Sequence, residues 1–229
     1  MLDELGRTLA NFCRAIPAGV VCFFPSFAFV GTVLERWGTN GILDSIKKHK
    51  KVFVEPRETT QVEQTLAAYE RHIRTAAAPG SAEGTTGAVL FSVVGGKMSE
   101  GINFADDLGR GVVVVGMPYP NLHSPELAEK MKYLDAQRDK QSSRDEPSRG
   151  ELYYENLCMK AVNQSIGRAI RHIRDYAVIL LLDKRYSKPR IQQKLPKWIG
   201  NRLLVNTTFQ STFGEVARFF KEKKDRDHH

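Results

Sequence analysis

Four apolar runs with the composition of buried β-strands are spaced along the chain, and helical segments separate them. They are rich in valine and aromatic residues and comprise residues 20–24, 87–94, 110–116 and 176–182. Runs without polar alternation are typical of parallel strands covered on both faces. A fifth, shorter strand is predicted at 52–54. Because strands alternate with helices, the sequence predicts an α/β fold with a mostly parallel sheet and helices on both faces.

Apolar residues at helical spacing predict the helices between these strands. Ser26 is available as the N-cap of one helix, and Thr59 or Thr60 as the N-cap of a long one. Residues 138–150 contain no aliphatic side chain and are predicted to form a flexible excursion, and residues 221–229 form a charged tail. With 229 residues, of which 41% are hydrophobic, the chain is predicted to be a single domain, 1–229.

Charge and cysteine content limit the classes of partner and site. The net charge of +8 indicates an anionic partner such as nucleic acid, although basic composition is common in proteins that bind none. The three cysteines lack C-x-x-C spacing, which disfavours a disulfide framework or a structural zinc site and favours a reducing compartment. No metal site is predicted. The longest apolar stretch is interrupted by Pro25 and is too short to span a bilayer, so no membrane association is expected.

A polar pattern precedes the last apolar run. On a helix of about 100° per residue, Gln164, Arg168 and Arg171 share one face. Gly167 lies among them, and glycine in a helix interior costs about 1 kcal/mol relative to alanine. This cost suggests close approach of a backbone or ligand, and two guanidinium groups on one face suit a polyphosphate. The alternative is an ordinary solvated helix face.

A glycine-rich segment, 95–104, follows the run at 87–94. It is not a Walker A loop, since Met98 occupies the hydroxyl position and Phe91 the first glycine position. Its glycines permit tight bending beside a ligand, and Ser99, Glu100 and Asn103 supply polar groups.

The pattern Gln164-x-x-Gly167-Arg168-x-x-Arg171 resembles motif VI of superfamily 2 helicases. Together with the continuation through residues 174–186, it is similar to the XPD-like iron–sulfur DNA helicases, and specifically to the ChlR/Chl branch linked to sister-chromatid cohesion. Segment 95–104 resembles motif V, and 116–121 matches the same branch. The strand and turn at 20–26 resemble motif IV, although an ordinary strand–helix unit has the same pattern. XPD-like proteins commonly carry Asp where this chain has Asn103.

The resemblance implies the second RecA-like (P-loop NTPase-type) domain of such a helicase. It implies that the Walker A loop, the Asp-Glu-Ala-His box and the iron–sulfur cysteines lie in a first helicase domain before Met1, so that the chain is a C-terminal fragment. ATP and Mg²⁺ would be shared with that domain. The implied catalytic residues are Arg171, as arginine finger, and Arg168. The implied ATP-binding residues are Gln164, Gly167, Arg168, Arg171, Glu100 and Asn103, and the implied DNA-binding residues are Pro25, Ser26, Lys97 and Ser99.

The implied function is ATP-dependent 5′→3′ DNA unwinding in the nucleus, on single-stranded or forked DNA, with cohesion and replication-fork proteins as further partners. A second hypothesis is a nucleic-acid or protein-binding platform without motor activity. It would use the basic and aromatic segment 184–198, whose alternative is a solvated helix with Trp198 packed on the core. A Rossmann-type cofactor enzyme is disfavoured, because no G-x-G-x-x-G follows a strand.

Overall fold

The computed structural model describes residues 1–77, 84–98, 103–122, 124–137, 147–170, 172, 174–206 and 208–227, apart from the side chain of residue 227. In these ranges five strands form one sheet in the order β2-β3-β1-β4-β5, and every pair is parallel. The strands are β1 Ala18–Phe24, β2 Lys51–Val54, β3 Gly87–Val93, β4 Gly111–Val115 and β5 Val178–Leu182. The predicted α/β fold with a parallel sheet is confirmed.

The parallel register gives the sheet two distinct edges. Phe24 is the partner of Val93 where β1 and β3 end, and this end of the sheet is called the carboxyl edge. Gly111 is the partner of Val178 where β4 and β5 begin, and this end is called the amino edge. Loops that follow strands therefore meet at the carboxyl edge, whereas loops that precede strands meet at the amino edge.

Nine helices accompany the strands in the part of the chain that is described. They are α1 Leu2–Ala15, α2 Phe27–Thr39, α3 Ile42–Lys47, α4 Val62–Ala76, α5 Pro125–Ala136, α6 Arg149–Ile166, α7 Pro189–Gln192, α8 Lys197–Gly200 and α9 Phe209–Asp227. Ser26 caps α2 as predicted, its Oγ accepting from the Phe29 N–H at 3.1 Å. The prediction for α4 was wrong: Thr59 and Thr60 lie in a 3₁₀ turn, Thr59–Gln61, and the N-cap is Gln61.

Helices cover both faces of the sheet, as predicted, and each face has its own apolar core. In β1, Val21 and Phe23 point to the core under α4 and α6. Val20, Cys22 and Phe24 point to the core under the helices α1, α2, α3 and α9. This assignment follows from the alternation of side chains along a strand, and it explains why β1 is apolar throughout.

The region before α6 was predicted to be an excursion over 138–150. Residues 138–146 lie outside the described residues. Ser148 and Glu151 form a capping box, in which each side chain accepts the other's backbone N–H, so helix α6 begins at Arg149. Helix α9 runs to Asp227, and it includes most of the predicted charged tail; residues 228–229 are outside the described ranges.

All three cysteines are buried and free. Burial raises the pKa of the Cys13 thiol to about 12, and burial likewise raises the pKa of Cys158 to about 12. Both are therefore protonated core residues near neutral pH. Among the described residues, no helix combines the length and the apolar character needed to cross a membrane.

Candidate nucleotide and DNA interface

The carboxyl edge brings together three of the residues predicted to bind DNA. Pro25 and Ser26 follow β1, and Lys97 follows β3; Ser26 and Lys97 are exposed, and Pro25 is partly exposed. The Val94 N–H donates to the Phe24 carbonyl at 2.9 Å and ties the two loops together. Ser99 lies outside the described residues. The edge thus presents a hydroxyl and an ammonium group, which are suitable contacts for a phosphodiester backbone.

A buried carboxylate, Glu55, fixes the start of the glycine-rich segment. Its Oε2 accepts from the Ser92 hydroxyl at 2.6 Å and the Val93 N–H at 2.8 Å, and its Oε1 accepts from the Met98 N–H at 2.9 Å. Gly96 lies against this carboxylate, since a Cβ built there would meet Glu55 Oε1 at 2.4 Å. Glu55 was not predicted from the sequence, where its only signal is an acidic residue directly after a strand.

The described end of the glycine-rich segment, Asn103 and Phe104, lies near the end of α6. Phe104 is buried, with its ring 6.3 Å from that of Phe23. The Phe104 N–H donates to the Arg168 carbonyl at 3.1 Å. The structure therefore brings the described end of motif V, Asn103 and Phe104, against motif VI.

Motif VI differs from the predicted helix. Helix α6 ends at Ile166, so Gly167 is its C-cap, with φ of −66°, and the predicted helix-interior position was wrong. The N–H groups of Arg168 and Ala169 donate to carbonyls three residues earlier, which tightens the last turn. In a continuing helix the Arg168 carbonyl would accept from residue 172, but here it accepts from Phe104. The first carbonyl beyond the tightened turn is thus bonded to motif V.

The motif VI side chains differ in exposure. Gln164 is exposed on the last turn of α6 and lines an open surface pocket with Lys160, Asn163 and Lys194. Arg168 is partly exposed, and Gly167 is exposed. Arg171 and Glu100 lie outside the described residues. The described part of the motif thus presents an exposed amide and a partly exposed guanidinium at the end of α6.

Four charged or titratable residues link the two motif segments at the amino edge. Asp175, whose side chain has no exposed surface, accepts through Oδ1 from Arg110 at 3.0 Å, the Asp106 N–H at 3.3 Å and the Tyr176 N–H at 2.8 Å. Arg110 also donates to the Tyr176 carbonyl at 2.9 Å, and its guanidinium lies 3.9 Å from the Tyr176 ring centroid. His172 Nε2 lies 3.0 Å from Asp106 Oδ1.

Asp106, His172 and Asp175 have potential ligand atoms within 4.8 Å of one another. The Oδ1 of Asp175 already accepts three hydrogen bonds. One of them comes from the Arg110 guanidinium, whose positive charge balances the carboxylate. The donor set is therefore that of an ion-pair network. No role was predicted for these residues from the sequence, although Arg110 and Asp175 precede strands that begin side by side at the amino edge.

The side chains of the basic and aromatic segment 184–198 differ in burial. Tyr186 is buried and donates its hydroxyl to the Gly116 carbonyl at 3.1 Å, so it is not a stacking surface. Trp198 is 42% exposed, so part of its ring surface is open to solvent. The hydrogen bond to Asp183 raises the pKa of Arg185, while Arg190 and Lys194 pair with Glu155. Part of the positive charge in this segment is therefore balanced within the chain.

The fold and the joined loops define a RecA-like α/β domain. The similarity to the solved structure of S. tokodaii Xpd4 has a TM-score of 0.53 at 19% identity and covers 86% of this chain and 33% of that one. The family model for the helicase C-terminal domain matches residues 9–202. The chain belongs to the helicase C-terminal domain family.

Curated relatives indicate which branch of the family the chain is similar to. The chain is 52% identical over 226 residues to the ATP-dependent DNA helicase DDX11 of Danio rerio, covering 99% of this chain and 25% of the relative. It is 48% identical over 223 residues to the ATP-dependent DNA helicase CHL1 of Scheffersomyces stipitis, covering 96% of this chain and 26% of the relative. The resemblance to XPD-like helicases of the ChlR/Chl branch is confirmed. The chain spans about a quarter of the length of these relatives.

Proposed function

We propose that this chain is the second RecA-like motor domain, 1–229, of an ATP-dependent DNA helicase, and that it completes an ATP site whose phosphate loop belongs to a first helicase domain. The observation that carries the proposal is the hydrogen bond from the Phe104 N–H to the Arg168 carbonyl. Through this bond the DNA-facing segment and the arginine-bearing segment form one unit. A motor requires such a connection, because nucleotide hydrolysis must change the grip on DNA.

Gln164 and Arg168 suit the polyphosphate of ATP. One is an exposed amide and the other a partly exposed guanidinium, and they lie within one turn of each other at the end of α6. Arg168 and Arg171 would stabilise the charge that develops on the transferring phosphoryl group, an effect worth roughly 10³ to 10⁵ in rate for arginine fingers. Bound Mg²⁺ would neutralise phosphate charge from the side of the first domain. Gly167, Glu100 and Asn103 would complete the nucleotide contacts.

DNA would follow the carboxyl edge of the sheet. Pro25, Ser26, Lys97 and Ser99 would contact the phosphodiester backbone, and such contacts are independent of base sequence. Exposed Trp198 is suitably placed in a basic segment to stack on a base. An iron–sulfur cluster needs four cysteine ligands, and this chain has three, all buried, so we assign the cluster to another part of the helicase.

Relatedness to DDX11 and CHL1 supports a nuclear protein that acts on single-stranded or forked DNA in 5′→3′ unwinding during cohesion and genome maintenance, with cohesion and replication-fork proteins as partners. The binding platform without motor activity is the competing proposal. The two differ in their dependence on the motif VI arginines, since a platform does not require them for its activity.

The test uses a full-length helicase that carries this domain. We expect Arg168→Ala or Arg171→Ala to lower DNA-stimulated ATP turnover by roughly 10³-fold or more while nucleotide binding persists, because the lost group acts on the transition state. Arg174→Ala is the matched control, since Arg174 is exposed and lies outside the motif. Turnover that survives the motif substitutions would favour the platform.

A further inference from the structure

The segments that contain motifs V and VI are in contact at a second point beyond the Phe104–Arg168 hydrogen bond. This point is the contact between Asp106 and His172, two residues after Phe104 and four after Arg168. The two contacts bracket the backbone from 168 to 172. That stretch therefore has an anchor at each of its ends.

The backbone of Asp106 has a conformation that costs free energy. Its φ is 55°, in the left-handed region that few non-glycine residues adopt. In this conformation the Asp106 N–H donates to buried Asp175 and its carboxylate reaches His172. Strained residues that persist in a structure are held by their surroundings and are concentrated at functional positions.

The anchor beneath this contact is a buried ion pair. Asp175 and Arg110 form an ion pair with 0% and 9% exposed side-chain surface, and Arg110 also holds the Tyr176 carbonyl. The His172 carbonyl accepts from the Asp175 N–H at 3.0 Å, which closes a turn directly after motif VI. His172 is thus fixed to the ion pair through its backbone and to the motif V segment through its ring.

We infer that Asp106 and His172 are positioning residues that hold the backbone of motif VI against the end of motif V, and thereby set the position of the Arg168 guanidinium for ATP hydrolysis. The inference rests on the proposed function and deepens it. Neither side chain is assigned to the substrate. Their contact transmits a shift of the DNA-facing segment to the arginine-bearing one.

The test measures DNA-stimulated ATP hydrolysis by a full-length helicase that carries this domain. Both side chains are exposed, 47% for His172 and 59% for Asp106, so substitution leaves no buried charge. His172→Ala should lower kcat roughly ten- to a hundredfold while KM for ATP stays nearly constant, as for a misplaced catalytic group. His172→Gln returns a donor to the same region and should recover most of kcat.

Asp106→Gly is the second variant, because glycine tolerates the positive φ and removes only the carboxylate. Its kcat should fall as far as that of His172→Ala, and the double variant should fall no further than either single one. Arg218→Ala is the control, since it removes an exposed ion pair of 3.1 Å within helix α9. It should match the unmodified enzyme.

Arg168→Ala distinguishes a failure of the proposed function from a failure of the positioning role. If Arg168→Ala leaves turnover intact, the proposed function fails. If Arg168→Ala abolishes turnover but His172→Ala and Asp106→Gly behave like Arg218→Ala, only the positioning role is overturned. Additive losses in the double variant, or no recovery with His172→Gln, would also overturn it.

Discussion

Two buried carboxylates hold the two ends of the segment from 94 to 110, and they do so by different means. At the carboxyl edge Glu55 accepts from a hydroxyl and two backbone N–H groups. At the amino edge Asp175 accepts from two backbone N–H groups and the Arg110 guanidinium. The start of the motif V segment is therefore held by neutral donors and its end by a charge pair. The difference indicates that the amino edge is more sensitive to changes in charge.

A further buried charged residue, Lys50, also lies at the amino edge. It precedes β2, has no exposed surface, and donates through Nζ to the carbonyls of Ala18 at 2.8 Å and Thr86 at 3.0 Å, where β1 and β3 begin. Burial lowers its pKa to about 8. A buried cation at the amino edge thus ties the beginnings of three strands.

The largest effect is expected when the unfolding free energies of two isosteric variants, one at each end of this segment, are compared. Asp175→Asn removes the buried counter-charge of Arg110, which keeps only its ion pair with the exposed Asp107 at 3.1 Å, and should lower the free energy of unfolding by about 3 kcal/mol, the lower end of the range for a broken buried pair. Glu55→Gln keeps one acceptor oxygen and leaves about one buried N–H unpaired, so about 1 to 3 kcal/mol is expected. Urea unfolding of the 229-residue chain, followed by circular dichroism, measures both. Equal losses, or the reverse order, would refute the distinction between the two ends.

The next largest expected effect is a dependence of the unfolding free energy on pH, which arises from Lys50 at the amino edge. The unfolded chain keeps Lys50 protonated up to its ordinary pKa of 10.5, whereas the folded chain releases the proton near 8. Burial of the charged form therefore opposes folding below pH 8, and this cost is relieved as pH rises from 8 to 10.5, by roughly 3 kcal/mol in total. The difference in unfolding free energy between the unmodified chain and Lys50→Met should follow this rise. A difference that stays flat over this range would exclude the role of Lys50.

The strands and one helix cap were predictable because their signals are local. The apolar run at 20–24 identifies β1 within two residues, and Ser26 caps α2 as its position suggested. Family resemblance located motifs V and VI. The contact just beyond the end of α6 was not predictable, because the Arg168 carbonyl accepts from the Phe104 N–H, which lies 64 residues earlier in the chain. The periodicity of a sequence does not register a hydrogen-bond donor that tertiary contact brings to the end of a helix.

The buried charges were missed for the same reason. Glu55, Arg110 and Asp175 look like ordinary polar residues at strand ends, and only the parallel register brings Arg110 and Asp175 together. Topology offered a usable signal, since residues that precede neighbouring parallel strands lie at one edge. The burial of Lys50 had no such signal, because its two acceptors are backbone carbonyls.

The most direct measurement is steady-state ATP hydrolysis by the 229-residue chain alone, with and without single-stranded DNA, and again after addition of a purified first helicase domain. The account predicts no turnover by the chain alone, and turnover with the added domain that disappears with Arg168→Ala. Turnover by the purified chain alone that falls with Arg168→Ala would contradict the account, because the chain would then supply its own phosphate loop.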